Sequence, residues 1–330
     1  MNLVTKTNEF IALERQRATA WKHATATLPD AARETARYVG SDGCANGPPY
    51  DFCLPAKFAP WSLLPEVREM ALGLFAELGI PWHHGVAGGP SNHLLSSQVQ
   101  CVNALGQMVH DPSRVVKAFG DPLGTADVLE VEPGRYLTFE YIGDVDVFDE
   151  APGHERVRGS RCTSVDAAFL HRTRDGALEL VLLEWKYTES YQARLVDSAK
   201  DAVRWKRYGA ALNDPNGPVR AEVLEFGDLL DEPLYQSTRQ QLLAHALEKS
   251  HAHDADRVRV VHVSPPANVA YQRSIHHETQ RAVGASVTEV WQRLLRHADR
   301  FVTLDSAVFA DPDITSPEYV SRYGNNGRDR

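Results

Sequence analysis

The chain has 330 residues, 43% of them hydrophobic and 24% charged, with a formal charge of −9. That is the composition of an ordinary soluble globular protein that folds without staples, and the acidic balance excludes a surface that clings to nucleic acid everywhere while leaving room for a local basic groove. No run approaches the roughly 18 apolar residues that a membrane span requires. The start, Met1-Asn2-Leu3-Val4-Thr5-Lys6, lacks the apolar core of a signal peptide. Cys44, Cys53, Cys101 and Cys162 include no close pair of zinc-ligand type. The expectation is a cytoplasmic protein with reduced thiols and no membrane association.

Residues 1 to about 40 carry apolar residues at helical spacing (Phe10, Ile11, Leu13, then Trp21), which predicts one or two helices. From Gly40 to Pro60 the Gly and Pro punctuation describes an irregular crossing. Cys44 and Cys53 in it, taken with His83, His84 and His93, match no zinc-ligand spacing. Leu63 to Leu78 reads as a helix stopped by Gly79. Ser91 or Asn92 is expected to cap the next helix, whose stripe is Leu95, Val99, Val102 and Leu105 and whose other face shows Ser96, Ser97, Gln98 and Asn103. That face is either solvated or leans over a site, so Gln98 is a candidate. Arg135 to Ile142 alternates as a strand and places Glu140 where it can sit inside the fold. The loop Glu155 to Arg161 is basic; its arginines, Arg158 and Arg161 among them, either grip phosphates or pair with Asp146, Asp149 and Glu150.

Two apolar runs follow, Ser164 to Phe169 and Leu180 to Tyr187, and they carry one charged cluster between them. Four aliphatic residues in succession before Glu184-Trp185-Lys186 suit a strand covered on both faces. Residues two apart share a face, so Glu184 and Lys186 point the same way. Register decides whether Asp166 joins them. A two-residue loop at Asp175-Gly176 puts Asp166 opposite Trp185, whereas a three-residue loop, Arg174 to Gly176, pairs Asp166 directly with Glu184. The second register is the predicted one. Opposed carboxylates repel unless a cation sits between them, which makes a metal site the natural reading.

Tyr191 to Leu212 reads as a basic helix holding Arg204 and Arg207, Val219 to Phe226 as a strand, and Tyr235 to Lys249 as a helix rich in Gln and Leu. Arg257 to Ser264 is a β-branched strand, Ser286 to Phe301 an amphipathic helix, and Ser321 to Arg330 a frayed tail. The order of elements predicts a three-layer α/β sandwich.

Asp166, Glu184 and Lys186 offer two hard oxygen ligands and a cation. Mg²⁺ takes one or two protein carboxylates and leaves its other positions to water and phosphate oxygens, so the set suits phosphodiester hydrolysis, with Lys186 orienting or helping to deprotonate the attacking water. Here the sequence resembles the PD-(D/E)XK nuclease superfamily, with Asp166 as the first acid and Glu184-Trp185-Lys186 as the E-x-K half. More narrowly it is similar to a bacterial family of restriction-endonuclease-like proteins. That likeness runs through His93 to Gln98, Arg158-Gly159, Thr163 to Ala167, Glu184 to Glu189, Pro233 to Gln236 and Arg239 to Leu243. The resemblance implies a restriction-endonuclease-like sandwich, a mixed sheet flanked by helices with accessory helices at both ends. It divides the chain into a helical accessory segment at 1–85, a nuclease-like core at 86–265 and a helical extension at 266–330. It implies Asp166, Glu184 and Lys186 as catalytic residues, Mg²⁺ (with Mn²⁺ able to substitute) as cofactor, and nucleic acid, DNA in the first instance, as partner. Many members carry a carboxylate on the first helix, where this chain has Ser96, Ser97 and Gln98; Glu140 is the candidate to compensate as a third metal ligand. Gln98, Arg158, Arg161, Arg204 and Arg207 are the candidate substrate contacts.

Three other readings stand beside this one. Glu184 and Lys186 form only a salt bridge, with each other or with Asp166, at a sheet end; the fold binds nucleic acid or assembles without turnover; or Cys101 or Cys162 serves a hydrolase, for which no nucleophile motif speaks. Cleavage of both strands often calls for a homodimer, and no interface is legible in the chain.

Overall fold

The structure, a computed structural model, describes residues 3–40 and 42–324. Helix α1 (Leu3–Ala24) leads to a hairpin of β1 (Ala36–Val39) and β2 (Ala45–Tyr50), followed by α2 (Pro65–Glu77), α3 (Ser97–Leu105) and α4 (Pro112–Leu123). Next come β3 (Thr125–Leu129), β4 (Leu137–Tyr141), β5 (Val165–Thr173) and β6 (Leu178–Trp185), then α5 (Ser198–Leu212), α6 (Leu234–Lys249) and β7 (Arg257–Ser264). Two short turns of helix, α7 (Val269–Gln272) and α8 (Glu278–Val283), precede α9 (Val287–Leu294), β8 (Phe301–Asp305) and α10 (Pro317–Tyr323).

The main sheet has six strands in the order β3-β5-β6-β7-β8, with β4 also paired to β5. Strands β3 and β4 lie end to end along one edge of β5, pairing with Leu170–Thr173 and Val165–Phe169 respectively. The β5–β6 pair is antiparallel, whereas β6–β7 and β7–β8 are parallel. Parallel pairing needs a crossover, and α5 and α6 supply it between β6 and β7.

Side-chain alternation divides the sheet between two cores. Ala167, Phe169, Val181, Leu183, Val261 and Val263 join residues of α1, α2, α3, α4 and α10 in one apolar cluster. Ala168, Leu170, Leu180, Leu182, Val258 and Val260 join α5, α6 and α9 in the other. Helices therefore cover both faces of a mixed sheet, the layering that the resemblance implies. Residues from the expected 1–85 and 266–330 segments, Phe75 and Tyr323 among them, share the first cluster with the strands. Among the described residues no helix is long and apolar enough to cross a membrane.

Several expected elements take other forms. The crossing at 40–60 contains β2, an edge strand that tolerates Pro48 and Pro49 because it pairs only with β1. Ser96, rather than Ser91 or Asn92, caps α3, its hydroxyl accepting from Val99 N. Asn92 is buried instead and bonds Val39 N and the Arg37 and Leu54 carbonyls. The helix expected from Tyr191 begins at Ser198, where the Asp197 side chain accepts from Lys200 N. Val219 to Phe226 forms no strand; Val219 makes a single bridge to Leu295. The helix expected to reach Phe301 ends at Leu294, and Phe301 opens β8. Of the tail, Ser321–Tyr323 belongs to α10, and 325–330 lie outside the described residues.

Candidate active site

The β5–β6 turn has the three-residue form. Thr173 N donates to Ala177 O at 2.9 Å, and Gly176 takes the left-handed conformation (φ +91°) that a side chain would strain. The ladder runs from Arg172↔Leu178 to Ala167↔Leu183, the register of the three-residue loop, and ends one position short of Asp166 and Glu184, which the register therefore brings to the same strand end. On the other side of β5, the pairs Phe139↔Ala167 and Tyr141↔Val165 bracket Glu140 opposite Asp166. On β7, His262 is the partner of Glu184. Four strands thus bring Glu140, Asp166, Glu184 and His262 into one row across the sheet end.

Glu140, Asp166 and Glu184 of this row border a polar cavity of about 600 Å³ whose lining also includes Gln98, Lys186 and Gln236. Lys186 is 5% exposed and Glu184 2%, so neither charge is screened by bulk water. The ammonium donates to Glu184 Oε1 at 2.6 Å and to Gln236 Oε1 at 2.7 Å. Gln240 Nε2 donates to the other Glu184 oxygen. Asp166 Oδ2 accepts from Trp185 N at 2.6 Å.

Glu140 reaches the cavity through a local backbone distortion: its φ of +47° is uncommon for a residue with a side chain and breaks the regular pleat of β4. Its carboxylate accepts from Ser164 Oγ at 2.9 Å and from Gln98 Nε2 at 3.3 Å. Gly159, also left-handed (φ +69°), lies so close that a Cβ there would meet that carboxylate at 3.1 Å. Gln98 itself is fixed by accepting from His83 N at 2.7 Å.

Three carboxylates and one ammonium share this site, and the excess negative charge registers in their acidities. Burial first, then the charges of Glu184 and Glu140, push the Asp166 carboxyl well above its ordinary range. Burial raises Glu140 to about 7 with help from Glu184, against the hydrogen bonds from Ser164 and Gln98. Burial alone would lower Lys186, but Glu184, with Tyr191 and Glu189, outweighs it and holds the ammonium above its usual value. His262 is pushed down to about 3 by burial and by the Lys186 charge, so its imidazole is neutral.

A divalent cation fits this donor set. Two opposed carboxylates with surplus negative charge face a polar cavity, which is the arrangement Mg²⁺ accepts with water completing its shell. Among the described residues no group of three or more His, Cys, Asp or Glu side chains is arranged to hold a metal ion, and Glu140 is engaged by Gln98 and Ser164. Glu140 therefore stands beside the Asp166–Glu184 pair with its carboxylate held by Gln98 and Ser164, much as Lys186 and Gln240 hold that of Glu184.

The candidate arginines separate into two groups. Arg158 forms an ion pair with Glu132 and donates to Thr138 Oγ1 and Phe139 O, which ties the basic loop to β4. Arg204 pairs with Asp201 at 3.1 Å and lies over the Tyr235 ring. Both are occupied within the fold. Arg161 and Arg207, by contrast, line a second cavity together with Arg239. The cysteine reading loses its basis, because burial raises both the Cys101 and Cys162 thiols away from the reactive thiolate.

Sequence reasoning missed Gln236 and Gln240. Their spacing of four residues puts both on one face of α6, but such a pair reads as a solvated face until the β6–β7 crossover lays α6 against the charged strand end. It missed His262 for the same reason, since only the parallel pairing of β7 places it beside Glu184.

No curated protein and no solved structure matches this chain. A family model described as restriction endonuclease associating with ARP matches residues 15–324, which include every strand of the main sheet and the whole acidic row. With nearly its full length matched and its mixed α/β sheet flanked by helices, the chain belongs to that restriction-endonuclease-like family.

Proposed function

We propose that this protein is a metal-dependent nuclease that hydrolyses phosphodiester bonds in DNA at the Asp166–Glu184–Lys186 cluster. The observation that carries the reading is the β5–β6 register, which brings Asp166 and Glu184 to one cavity with the Lys186 ammonium 2.6 Å from the latter. Asp166 and Glu184 would hold the metal, Mg²⁺ or Mn²⁺, with Glu140 adding negative charge from the neighbouring strand. When bound, the metal neutralises charge on the scissile phosphate and lowers the pKa of its water.

The chain's own residues do the rest. Gln240 and Lys186 each hold one oxygen of Glu184, so this carboxylate is fixed before any ligand arrives. Lys186, kept as an ammonium, orients the attacking water and stabilises the charge that develops on the phosphorane. Hydrolysis joins the water oxygen to phosphorus, breaks one phosphorus–oxygen ester bond and leaves an alcohol on one side and a phosphate monoester on the other. Gln236 holds Lys186 from α6 at 2.7 Å, which keeps the ammonium over the site.

Incubation with linear, circular and single-stranded DNA, with Mg²⁺ or with EDTA, tests this. Cleavage is expected in Mg²⁺ alone, and Lys186→Ala is expected to lower it about 10²–10³-fold while keeping metal binding. Tight, salt-sensitive binding with no cleavage of any form would favour a nucleic-acid-binding module without turnover.

A further inference from the structure

A second charged cavity, of about 530 Å³, lies beside the first and is lined by Glu150, His154, Arg161, Arg207, Tyr235 and Arg239 among others. The two cavities share their walls. Along the loop into β5, Gly159 and Ser160 border the first and Arg161 and Cys162 the second. Along α6, Gln236 and Gln240 turn toward the acids, while the adjacent stripe of Tyr235 and Arg239 turns to the second cavity.

Arg239 is the unusual group here. Its guanidinium lies over the Tyr235 ring, 4.9 Å from the centroid, and its Nε is buried without a hydrogen-bond partner. Glu232 and Glu150 lie near enough to favour its charge, yet among the described residues neither forms an ion pair with it. Glu150, the carboxylate of this pocket, is already satisfied: Thr163 donates to it from N and Oγ1, both at 2.6 Å, and the Tyr208 hydroxyl donates as well. Arg207 spends one hydrogen bond on the Glu150 backbone carbonyl, at 3.1 Å. Arg161 is exposed at the rim. Three guanidiniums therefore converge around one fully engaged carboxylate.

Burying a charge without a partner is costly, and a guanidinium's planar fork matches the oxygens of a phosphate. We infer that this pocket binds a phosphate group of the nucleic acid, with Arg239 inside and Arg207 and Arg161 at the mouth, holding the strand whose neighbouring phosphodiester meets the acidic row. The inference rests on the nucleic-acid reading for its ligand. The chemistry is that of an internal phosphodiester or of a terminal phosphate.

The test is equilibrium binding of the full chain to 5′-phosphorylated and 5′-hydroxyl forms of one DNA oligonucleotide, in EDTA over a range of salt. Thermal unfolding is measured alongside. Arg239→Gln is expected to weaken binding about tenfold and to lower the salt slope by about one, with the unfolding midpoint unchanged or raised. A loss with both oligonucleotides identifies an internal phosphodiester; a loss confined to the 5′-phosphorylated form identifies a terminal phosphate. If Arg239→Gln does not fold, Arg207→Gln at the mouth is read in the same way. Equal affinity and slope in wild type and variant, or no binding by the wild type, would overturn the inference. Because EDTA removes turnover, an absence of cleavage in Mg²⁺ with this binding loss intact defeats the nuclease reading and leaves the pocket standing.

Discussion

The β5–β6 hairpin carries buried charge at both of its ends, and the two ends are built differently. Near the turn, Glu179 is fully buried and is met by His171 Nε2 at 3.1 Å, Arg257 at 2.7 Å and Arg259 at 2.9 Å. At the far end, Glu140, Asp166 and Glu184 crowd together and, among the described residues, Lys186 is the cation paired with them; a cavity opens onto the group. One carboxylate with a surplus of cationic partners is a closed structural network. Three carboxylates sharing one ammonium leave negative charge beside open space. Burial of charge alone therefore does not mark a site.

That contrast is open to attack from both ends. The largest expected effect is at the closed end, where Glu179→Ala removes the buried carboxylate that two half-buried guanidiniums share. It should destabilise the fold by about 3–5 kcal/mol in denaturant unfolding. A loss below about 1 kcal/mol would show that the turn end is not the tightly coupled network its geometry describes. Next in size is Gln240→Leu, which frees one oxygen of Glu184 and should weaken divalent-cation affinity about 10–100-fold with little change in stability. Unaltered affinity would remove Gln240 from the site. The smallest effect is Asp166→Asn in metal-free buffer. Removing one of three mutually repelling carboxylates should leave stability unchanged or raise it by about 1 kcal/mol, the opposite sign to Glu179→Ala.

The site was legible to the extent that it depends on local rules. Asp175-Gly176 between two apolar runs specifies a hairpin, and Gly176 in the left-handed position selects the three-residue loop; the pairing of Asp166 with Glu184 follows from counting. The β-branched run of β7 was equally plain, matching Arg257–Ser264 at both ends. What escaped was set by tertiary contacts. Pro48 and Pro49 hide an edge strand that needs few ladder bonds, and Leu295 to Phe301 reads as helix because Leu295, Ala298 and Phe301 recur at a spacing of three. Helix α4 and strand β3 have no place in the sequence reading, although Asp111 caps α4 and Gly124 ends it. Gln236 and Gln240 lie in stretches that carry the family resemblance, but their place at the site, like that of His262, follows only from the strand end across from them. The basic residues divided on a point no spacing reveals: Arg158 and Arg204 have carboxylate partners in the fold, whereas Arg239 has none among the described residues.

The central claim, that the open end of the hairpin is a cation site, is tested most directly by titrating Mn²⁺ into the nucleic-acid-free protein and following bound metal by calorimetry or magnetic resonance. The account predicts saturable binding in the wild type that disappears in Asp166→Ala and persists in Lys186→Ala. No binding in the wild type, or equal binding in the wild type and Asp166→Ala, would contradict it.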